Sequence, residues 1–353
     1  MINAIDICEE KVVCSSSGSY KRKNLTYENS NVLNINLHNK YRNVWDSQAF
    51  YPELSLYKLC NIRMEDLGYL FYGEKLIEES VLHLNDKDLI ENRYSISSNT
   101  SENIEAESLL LKRRSSSNFG HWLIEFLPWA SIAKSQGIEF QQVILEYFSK
   151  NAISNVQEKT LSAYGVNVGS IQRCKRTTYH IDNVWVPSKG AIHNHTKHPF
   201  LVDRARINGF LLASHFSNNE IDLGERIYIA RKGEEKRGII NEALVNEKLK
   251  DFGFVKIYPS DYPFELQVKI FSNAKVVVGV SGAAMTNIIF CKNETKVICL
   301  QSNLAFENFF WDLACHCDLE FSYVFGKASG ENPHSSFSID KSNLDEVLKI
   351  NCG

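Results

Sequence analysis

Apolar runs and segments of helical periodicity alternate most regularly in the part of the chain that follows residue 225. The apolar runs predict strands at Arg226–Ala230, Val255–Tyr258, Val276–Gly279, Lys296–Leu300 and Glu320–Phe325. Between them, apolar residues recur every three or four positions, which predicts helices at Asn241–Phe252, Pro263–Ser272, a segment ending at Ile289, and Phe306–Cys315. Strands that alternate with helices in this order predict a doubly wound parallel sheet.

The first half of the chain shows the same alternation in a less regular form. Short strands are predicted at Val32–Leu37, Leu54–Asn61, Tyr69–Leu76, Ser80–Leu84, Leu109–Leu111, Val143–Tyr147 and Asn183–Val186. Helices are predicted at Gly120–Lys134, where Pro128 is expected to kink or end the first segment, and at Val156–Tyr164. A further helical pattern over Phe200–Phe216 can link two domains.

These elements predict an α/β protein with two domains and a tail. The N-terminal α/β domain is assigned to residues 1–205 and the C-terminal Rossmann-like domain to residues 206–335. Residues 336–353 are assigned to a C-terminal tail whose helix covers about Leu344–Ile350. A chain of 353 residues is long enough to form two hydrophobic cores of ordinary size.

Composition and charge place the chain among globular proteins and exclude several function classes. Hydrophobic residues make up 44%, charged residues make up 23%, and the formal net charge is −3, which does not favour nucleic acid. No apolar stretch is long enough to cross a bilayer, and the N-terminus lacks the apolar run of a secretory signal. The nine scattered cysteines are expected to be reduced. We expect a soluble cytoplasmic protein, for which peripheral membrane contact stays open.

A turn of small residues follows the predicted strand Val276–Gly279. In an open α/β sheet, ligands bind outside the carboxyl ends of the strands, and small residues let the backbone approach them. Free N–H groups at the start of the next helix suit a phosphate. The expected phosphate-binding residues are Ser281, Gly282, Ala283 and Ala284, together with Thr286 and Asn287 in the first turns of the helix. The alternative is a tight strand–helix junction without a ligand.

A second candidate is the cationic loop after the predicted strand Arg226–Ala230. Its cations are Arg231, Lys232, Lys236 and Arg237. Loops at this edge of a sheet reach the same crevice as the turn of small residues. Arginine suits bidentate contact with phosphate, so Arg231 and Arg237 are the candidate ligands. The alternative is a solvated charged loop, because two neighbouring glutamates partly cancel the positive charge.

A third candidate is the pair His121 and Glu125 in the predicted helix Gly120–Lys134. The two residues are four positions apart, so they share one face of a helix. A carboxylate beside an imidazole can take the proton of a hydroxyl group. The alternative is an ordinary surface pair on an amphipathic helix.

Three other patterns of metal-ligand residue types are weak. Asp86 and Asp88 have the spacing of an acidic pair that holds a divalent ion, but they lie in a polar stretch. The histidines at positions 193, 195 and 198 can ligate zinc, but they fall in a predicted loop. Cys315 and Cys317 have unsuitable spacing and indicate a helix end. We therefore predict no metal site.

Three segments of the chain, taken in order, resemble those of glycosyltransferase family 61. Asn118–Pro128 resembles the pattern N-x-x-H-W-L-x-D-x-L-P-R of that family. Residues 226–242 resemble R-x-Y-I-S-R followed by R-x-I-x-N-E. Gly279–Phe290 resembles G-x-H-G-A-x-L-T-N-x-x-F, and the whole match covers roughly residues 109–301.

The resemblance implies a GT-B arrangement, in which two Rossmann-like domains face each other and the C-terminal one binds most of the donor. It implies an inverting, metal-independent glycosyltransferase that needs no cofactor and uses a nucleotide sugar, expected to be UDP-linked. Bacterial relatives are usually assigned to capsular polysaccharide or lipopolysaccharide synthesis, which implies a glycan or lipid-linked glycan acceptor. In this interpretation Arg231, Arg237 and the turn of small residues bind the donor diphosphate. Glu125, or His121 oriented by Glu125, takes the acceptor proton.

The sequence departs from the family pattern at four positions. Ser281 replaces a histidine, Glu125 an aspartate, Trp129 an arginine and Cys299 a glutamate, and the last change can remove a ribose or sugar contact. These departures leave a second interpretation open, a catalytically degenerate protein that binds a glycan or nucleotide on the same fold. Another Rossmann enzyme, such as a methyltransferase, is disfavoured because a sulfonium cofactor needs no arginines.

Overall fold

The computed structural model describes residues 1–33, 47–81, 101–147, 152–192, 196–216, 223–231, 237–305 and 307–353. Numbered along the chain, the earlier strands are β1 Glu10–Ser15, β2 Gly18–Lys21, β3 Tyr27–Glu28, β4 Gln48–Tyr51, β5 Leu54–Glu65, β6 Tyr69–Tyr72, β7 Lys75–Leu76, β8 Ser101–Ile104, β9 Ser108–Leu110, β10 Gln142–Glu146, β11 Ile171–Cys174, β12 Thr178–Pro187, β13 Ala191–Ile192 and β14 Thr196–Lys197. The later strands are β15 Arg226–Ile229, β16 Val255–Ile257, β17 Val276–Val280, β18 Lys296–Ser302, β19 Glu320–Ala328 and β20 Phe337–Ser338. The α-helices are α1 Phe119–His121, α2 Leu127–Ser135, α3 Ala152–Ala163, α4 Pro199–Ser214, α5 Glu242–Asp251, α6 Phe264–Asn273, α7 Phe309–His316 and α8 Lys341–Cys352.

The chain divides into two compact units. The first contains Met1–Gly18, Phe50–His193 and His198–Asn208, and the second contains Ser19–Ala49, Asn194–Lys197 and Gly209–Gly353. Sequence analysis assigned all of residues 1–205 to the first domain, whereas the structure places Ser19–Ala49 in the second unit. The reason is a long-range pairing, because β3 adds to the second unit's sheet beside β19.

The first unit is built on a mixed sheet with the order β11-β10-β9-β12-β5-β6-β7. Strands β11, β10, β9 and β12 are parallel to one another, whereas β5 is antiparallel to both β12 and β6. The two longest strands, β5 and β12, bury apolar residues such as Leu59, Ile62 and Val184 in one core. The helical segment that contains His121 follows the carboxyl end of β9, a strand with a neighbour on each side.

The second unit is built on a sheet whose strands β16-β15-β17-β18-β19 are all parallel. In chain order this arrangement is 2-1-3-4-5, a common form of the doubly wound sheet. Strand β17 is buried along its whole length, which explains its uninterrupted apolar sequence. Helices α5 and α8 pack into the same core through residues such as Leu249, Leu344 and Val347. The predicted parallel sheet is confirmed.

The predicted helix Gly120–Lys134 is not continuous. A π-helix over Trp122–Phe126 separates α1 from α2, and the N–H of Leu127 donates to the carbonyl oxygen of Trp122. Pro128 lies in the first turn of α2. Because proline has no N–H, it cannot continue the hydrogen-bond ladder of an α-helix from the preceding turn, and the wider turn avoids that conflict.

Three further predicted elements are not observed as predicted, either because their type differs or because they lie mostly outside the described residues. The helix predicted to end at Ile289 is a 3-10 helix, Ala283–Phe290, whose residues from Met285 onward are buried. The predicted strands Val32–Leu37 and Ser80–Leu84 lie mostly outside the described residues. Their described ends belong to short 3-10 helices.

Candidate functional site

The strand order of the second unit reverses between β15 and β17. The chain continues from β15 to β16 on one side and from β17 to β18 on the other side. A doubly wound sheet opens a crevice at such a reversal, outside the carboxyl ends of the strands. Ile229 at the end of β15 pairs with Gly279 of β17, so Arg231 and Gly282 leave the sheet side by side. Arg231 and the turn of small residues therefore meet at one edge.

Arg231 contacts the turn of small residues directly. Its Nη1 donates to the carbonyl oxygen of Ser281 at 3.1 Å. A Cβ atom at Gly282 would lie 2.7 Å from the same nitrogen, so a side chain there would displace the guanidinium. The backbone of Gly282 is extended, with φ of 176°, which any residue can adopt. Glycine at position 282 therefore preserves the place of the guanidinium and is not needed for the backbone conformation.

Arg231 and Arg237 repel each other, which makes this edge attractive to an anion. Burial lowers the pKa of Arg231, and the charge of Arg237 lowers it further. Arg237 has a left-handed backbone with φ of 59°, and its N–H donates to the carbonyl oxygen of His334 at 2.9 Å. Its Nη1 lies 3.8 Å from Oε2 of Glu307. The other two cations of the loop, Lys232 and Lys236, lie outside the described residues.

The other residues that are predicted to bind the phosphate differ in their exposure to solvent. Gly282, Ala283 and Ala284 are partly exposed, so a ligand can reach their backbone. Thr286 and Asn287 are fully buried and support the turn from within. This 3-10 helix is joined to α6 by one hydrogen bond, in which Asn287 Nδ2 donates to Gln267 Oε1 at 2.9 Å.

Three buried side-chain oxygens near this turn lack a partner. They are Ser281 Oγ, Thr286 Oγ1 and Asn287 Oδ1, and no described residue forms a hydrogen bond with any of them. Ser281 stands where the family pattern has a histidine, and it is 3% exposed. Buried polar atoms are normally satisfied by protein, water or ligand. The turn therefore has hydrogen-bonding capacity that the fold itself does not use.

The third predicted site lies in the first unit. His121 Nδ1 and Glu125 Oε1 are 3.0 Å apart, with side chains that are 17% and 7% exposed. Asn118 caps the start of the helical segment, since its side chain accepts the N–H groups of Gly120 at 2.9 Å and His121 at 3.4 Å. The π-helix begins immediately after His121, and such turns occur frequently at functional sites. The two side chains therefore pair as their spacing predicts, and they are mostly buried and not on the surface.

Sequence analysis missed a buried cation that acts on this pair. Arg113 is 4% exposed, and its Nη2 donates to the carbonyl oxygen of Pro187. Burial lowers the pKa of Arg113 to about 10, and the negative charges of Glu79 and Glu125 oppose that shift. The charge of Arg113 therefore acts on the carboxylate of Glu125. The basic run at residues 112–114 was visible in the sequence, but its burial was not.

The weak metal-site patterns gain no support. Asp86, Asp88, His193 and His195 lie outside the described residues. His198 is described, and its Nδ1 accepts the N–H of Phe200 at 3.1 Å, so it caps the start of α4. The described part of the chain contains no group of three or more side chains that could hold a metal ion. Among the described helices, none combines the length and apolar character needed to cross a membrane.

Two departures from the family pattern are core positions. Cys299 lies within β18 between Gly279 and Tyr323 of the neighbouring strands, and it is 0% exposed. Burial raises the pKa of its thiol. The Cys299 side chain therefore belongs to the core of the second unit. Trp129 is 1% exposed and packs in α2.

Comparison with known proteins identifies a family. A family model described as Glycosyltransferase 61 matches residues 119–298, slightly more than half of the chain. The matched range includes the His121–Glu125 pair, Arg231, Arg237 and the turn at Gly282. No curated protein matches the chain.

Proposed function

Since the chain belongs to the glycosyltransferase 61 family, we propose that it transfers a sugar from a nucleotide sugar to a glycan acceptor with inversion at the anomeric carbon. The family makes the protein a transferase that needs a sugar donor and an acceptor. The UDP-linked donor, the independence from metal, the GT-B arrangement and a role in bacterial surface polysaccharide synthesis belong to the proposal. So do the roles of individual residues.

The observation that carries the proposal is the position of Arg231. Its guanidinium is partly buried at the strand-order reversal and anchored on the carbonyl oxygen of Ser281, beside a second guanidinium from Arg237. This combination of fixed positive charge and accessible backbone at Gly282 suits a diphosphate. We assign the donor diphosphate to Arg231, Arg237 and residues 281–284, with Thr286 and Asn287 supporting the turn.

The same arginines supply a reason for catalysis without a metal ion. When the bond between the anomeric carbon and the phosphate oxygen breaks, the nucleoside diphosphate leaves with the bonding electrons and its negative charge grows. Preorganised cations at the phosphate stabilise that charge more strongly than they stabilise the bound donor. Arg231 and Arg237 are therefore assigned to leaving-group stabilisation.

The acceptor hydroxyl must lose a proton as its oxygen forms the new bond to the anomeric carbon. We assign this proton to Glu125 or to His121, which are hydrogen-bonded to each other at 3.0 Å. A positioned base of this kind contributes about 10²–10⁴ in rate. Arg113 supplies a buried positive charge that acts on Glu125, and Asn118 fixes the backbone at His121. A single in-line displacement then inverts the anomeric centre.

The proposed donor site is tested by nucleotide binding in the presence of EDTA. Thermal unfolding of the purified protein is followed with a panel of nucleoside diphosphates and nucleotide sugars, for wild type, Arg231→Ala and Lys275→Ala. Lys275 precedes β17, at the amino edge of the same sheet, so its replacement removes one cation without touching the proposed site. A ligand present at a hundredfold excess over its Kd stabilises the folded state by about 2.7 kcal/mol.

We expect one diphosphate to raise the melting temperature of wild type and Lys275→Ala but not of Arg231→Ala. In a transfer assay with that donor, Arg231→Ala should lose about 10²–10³ in kcat, as for one preorganised electrostatic group. Equal ligand shifts in Arg231→Ala and wild type would contradict the phosphate assignment. The absence of a shift with every nucleotide would contradict the donor class itself.

A further inference from the structure

The amino edge of the second unit's sheet contains a cavity that is separate from the proposed donor site. Strands β15, β17 and β18 begin there side by side, since Arg226 pairs with Val276 and Val276 pairs with Lys296. Side chains in register on parallel strands lie on the same face of a sheet. The cavity has a volume of about 560 Å³, and Cys352 at the end of α8 is part of its lining. Arg231 follows the opposite, carboxyl end of β15.

Positive charge exceeds negative charge in the lining of this cavity. Its charged side chains are four cations, Arg226, Lys275, Lys292 and Lys296, and two carboxylates, Glu225 and Glu294. Glu225 neutralises Lys275, because their charged atoms are 2.8 Å apart. The ammonium groups of Lys292 and Lys296 have no hydrogen bond or ion pair with any described residue. Lys292 is exposed and Lys296 is partly exposed, so a ligand from solvent can reach them.

The guanidinium of Arg226 is held in place without being neutralised. Its Nη1 donates to the carbonyl oxygen of Phe252 at 2.8 Å, and its Nη2 donates to the carbonyl oxygen of Cys352 at 3.1 Å. Both acceptors are neutral, and no carboxylate of the described residues pairs with Arg226. Because the side chain is already ordered, an anion that binds it does not pay the full entropy of fixing a long cation.

Two of these charges act on the same point of the cavity. Burial raises the pKa of the Cys352 thiol, and the charges of Arg226 and Lys296 oppose that shift. The thiol is free and partly exposed. Cys352 therefore lies within electrostatic range of both cations and reports on whatever binds between them.

We propose that this cavity binds the phosphate group of a small molecule, at a site that goes beyond the proposed function and does not depend on it. Arginine and lysine are the side chains with which proteins bind phosphate. Arg226, Lys292 and Lys296 together offer three charges that no described carboxylate neutralises, which suits a phosphate dianion. The volume of about 560 Å³ exceeds that of one phosphate and has room for an organic group attached to it.

The test follows the alkylation of Cys352 by iodoacetamide, read by mass spectrometry of the peptide that contains it. Rates are compared in sodium chloride, inorganic phosphate and glucose 1-phosphate at the same ionic strength. The proteins are wild type, the double variant Lys292→Ala with Lys296→Ala, Arg231→Ala, and the control Lys341→Ala. Lys341 is an exposed cation at the other end of α8 from Cys352. Cys14 of the first unit serves as the reference thiol.

In wild type, Lys341→Ala and Arg231→Ala we expect saturating phosphate to slow the alkylation of Cys352 at least about threefold, because a bound anion shields the thiol and disfavours the thiolate. In the double variant the protecting concentration should rise at least about tenfold, as for a lost hydrogen bond to a charged group. The alkylation rate of Cys14 should not respond to phosphate in any of these proteins. An unchanged melting temperature shows that the double variant is folded.

Glu225→Gln tests the same electrostatics with the opposite sign. This variant removes a negative charge from the lining and releases Lys275 from its ion pair. Phosphate should then protect Cys352 at about a twofold to fivefold lower concentration than in wild type, as for one exposed ion pair. Weaker protection in Glu225→Gln would contradict an anion in this cavity.

The two phosphate probes identify the source of the group. Stronger protection by glucose 1-phosphate supports a phosphate ester as the ligand, and stronger protection by inorganic phosphate supports the free ion. Equal alkylation rates in chloride and in both phosphates overturn the proposal, and so does full protection in the double variant. A failure of Arg231→Ala to lose nucleotide binding would refute the proposed donor site and leave this result unaffected.

Discussion

Asp312 is a buried charge of the second unit with several partners, and replacing it offers a strong test of the fold. Its Oδ1 accepts Arg22 Nε at 2.8 Å and the hydroxyl of Tyr20. Its Oδ2 accepts the N–H of Lys197 at 2.7 Å and lies 3.6 Å from Nε2 of His316. All of these partners except His316 come from segments distant in sequence, so Asp312 ties the segment of Tyr20 and Arg22 to the rest of the unit.

The pairing makes the contribution of Asp312 to stability depend on pH. Burial raises the pKa of this carboxyl, but His316, Arg22 and Tyr20 together outweigh burial and hold the pKa below its usual value of 3.8. The folded protein therefore binds this proton more weakly than the unfolded chain does. The stabilisation is complete above the unfolded pKa and is lost as the pH falls through the folded pKa.

Asp312→Asn keeps the shape of the side chain and removes its charge. Arg22, whose side chain is 2% exposed, then faces a neutral amide in place of the carboxylate. Breaking a buried pair from one side costs about 3–5 kcal/mol, and we expect that decrease in the free energy of unfolding at pH 7. The control Glu225→Gln breaks the exposed pair with Lys275, at 2.8 Å, and should cost less than about 1 kcal/mol.

Urea denaturation of the three proteins at pH 7, 4 and 3 checks both the size and the sign of this effect. The gap between wild type and Asp312→Asn should be largest at pH 7 and should narrow toward pH 3, because the unfolded wild-type chain takes up this proton near pH 3.8 and the folded protein does so only at lower pH. A gap smaller than about 1 kcal/mol at pH 7 would refute the reasoning, because a partner-rich buried carboxylate would then behave like an exposed one. A gap that widens at low pH would refute the assigned direction of the pKa shift.

Two further predictions concern the proposed active site. Gly282→Ala places a Cβ atom 2.7 Å from Arg231 Nη1; we expect at least about tenfold weaker binding of the diphosphate with little change in melting temperature, and unchanged binding would contradict the role of this contact. Glu125→Gln should lower kcat by about 10²–10⁴, while the Kd of the donor stays within about twofold. The control is Glu158→Gln in α3, which removes a partly exposed carboxylate that pairs with Arg173. Retained turnover in Glu125→Gln would leave His121 as the base.

The parts of the fold that were predictable are those specified by local pattern. The buried strand β17 consists of apolar residues without interruption, and strands and helices alternate regularly around it, so the parallel sheet follows from the sequence. The pairing of His121 with Glu125 was equally predictable, because helix geometry alone brings residues four positions apart together. The turn at Gly282 was found because it follows a buried strand of that sheet.

The parts that were not predictable depend on contacts distant in sequence. Nothing local to Ser19–Ala49 shows that Arg22 meets Asp312, 290 residues away. The burial of Arg113 depends likewise on the carbonyl oxygen of Pro187, at the end of another strand. The π-helix before Pro128 depends both on the missing N–H group of the proline and on the packing of the surrounding residues. A helical pattern alone does not predict whether the helix ends, kinks or widens there.

The buried polar groups of the second unit differ in whether described residues satisfy them with hydrogen bonds. Asp312 is buried and has a partner for both oxygens, as expected of a group retained for stability. Ser281, Thr286 and Asn287 are equally buried, and each keeps an oxygen that no described residue satisfies. Gln301, at the carboxyl end of the adjacent strand β18, has the same property. A fold selected for stability alone would exchange such groups for apolar ones. Asn246 of α5 and Asn351 of α8 share this property away from the edge where Arg231 lies. The argument for a ligand at that edge therefore rests on the fixed guanidinium of Arg231 and the accessible backbone at Gly282.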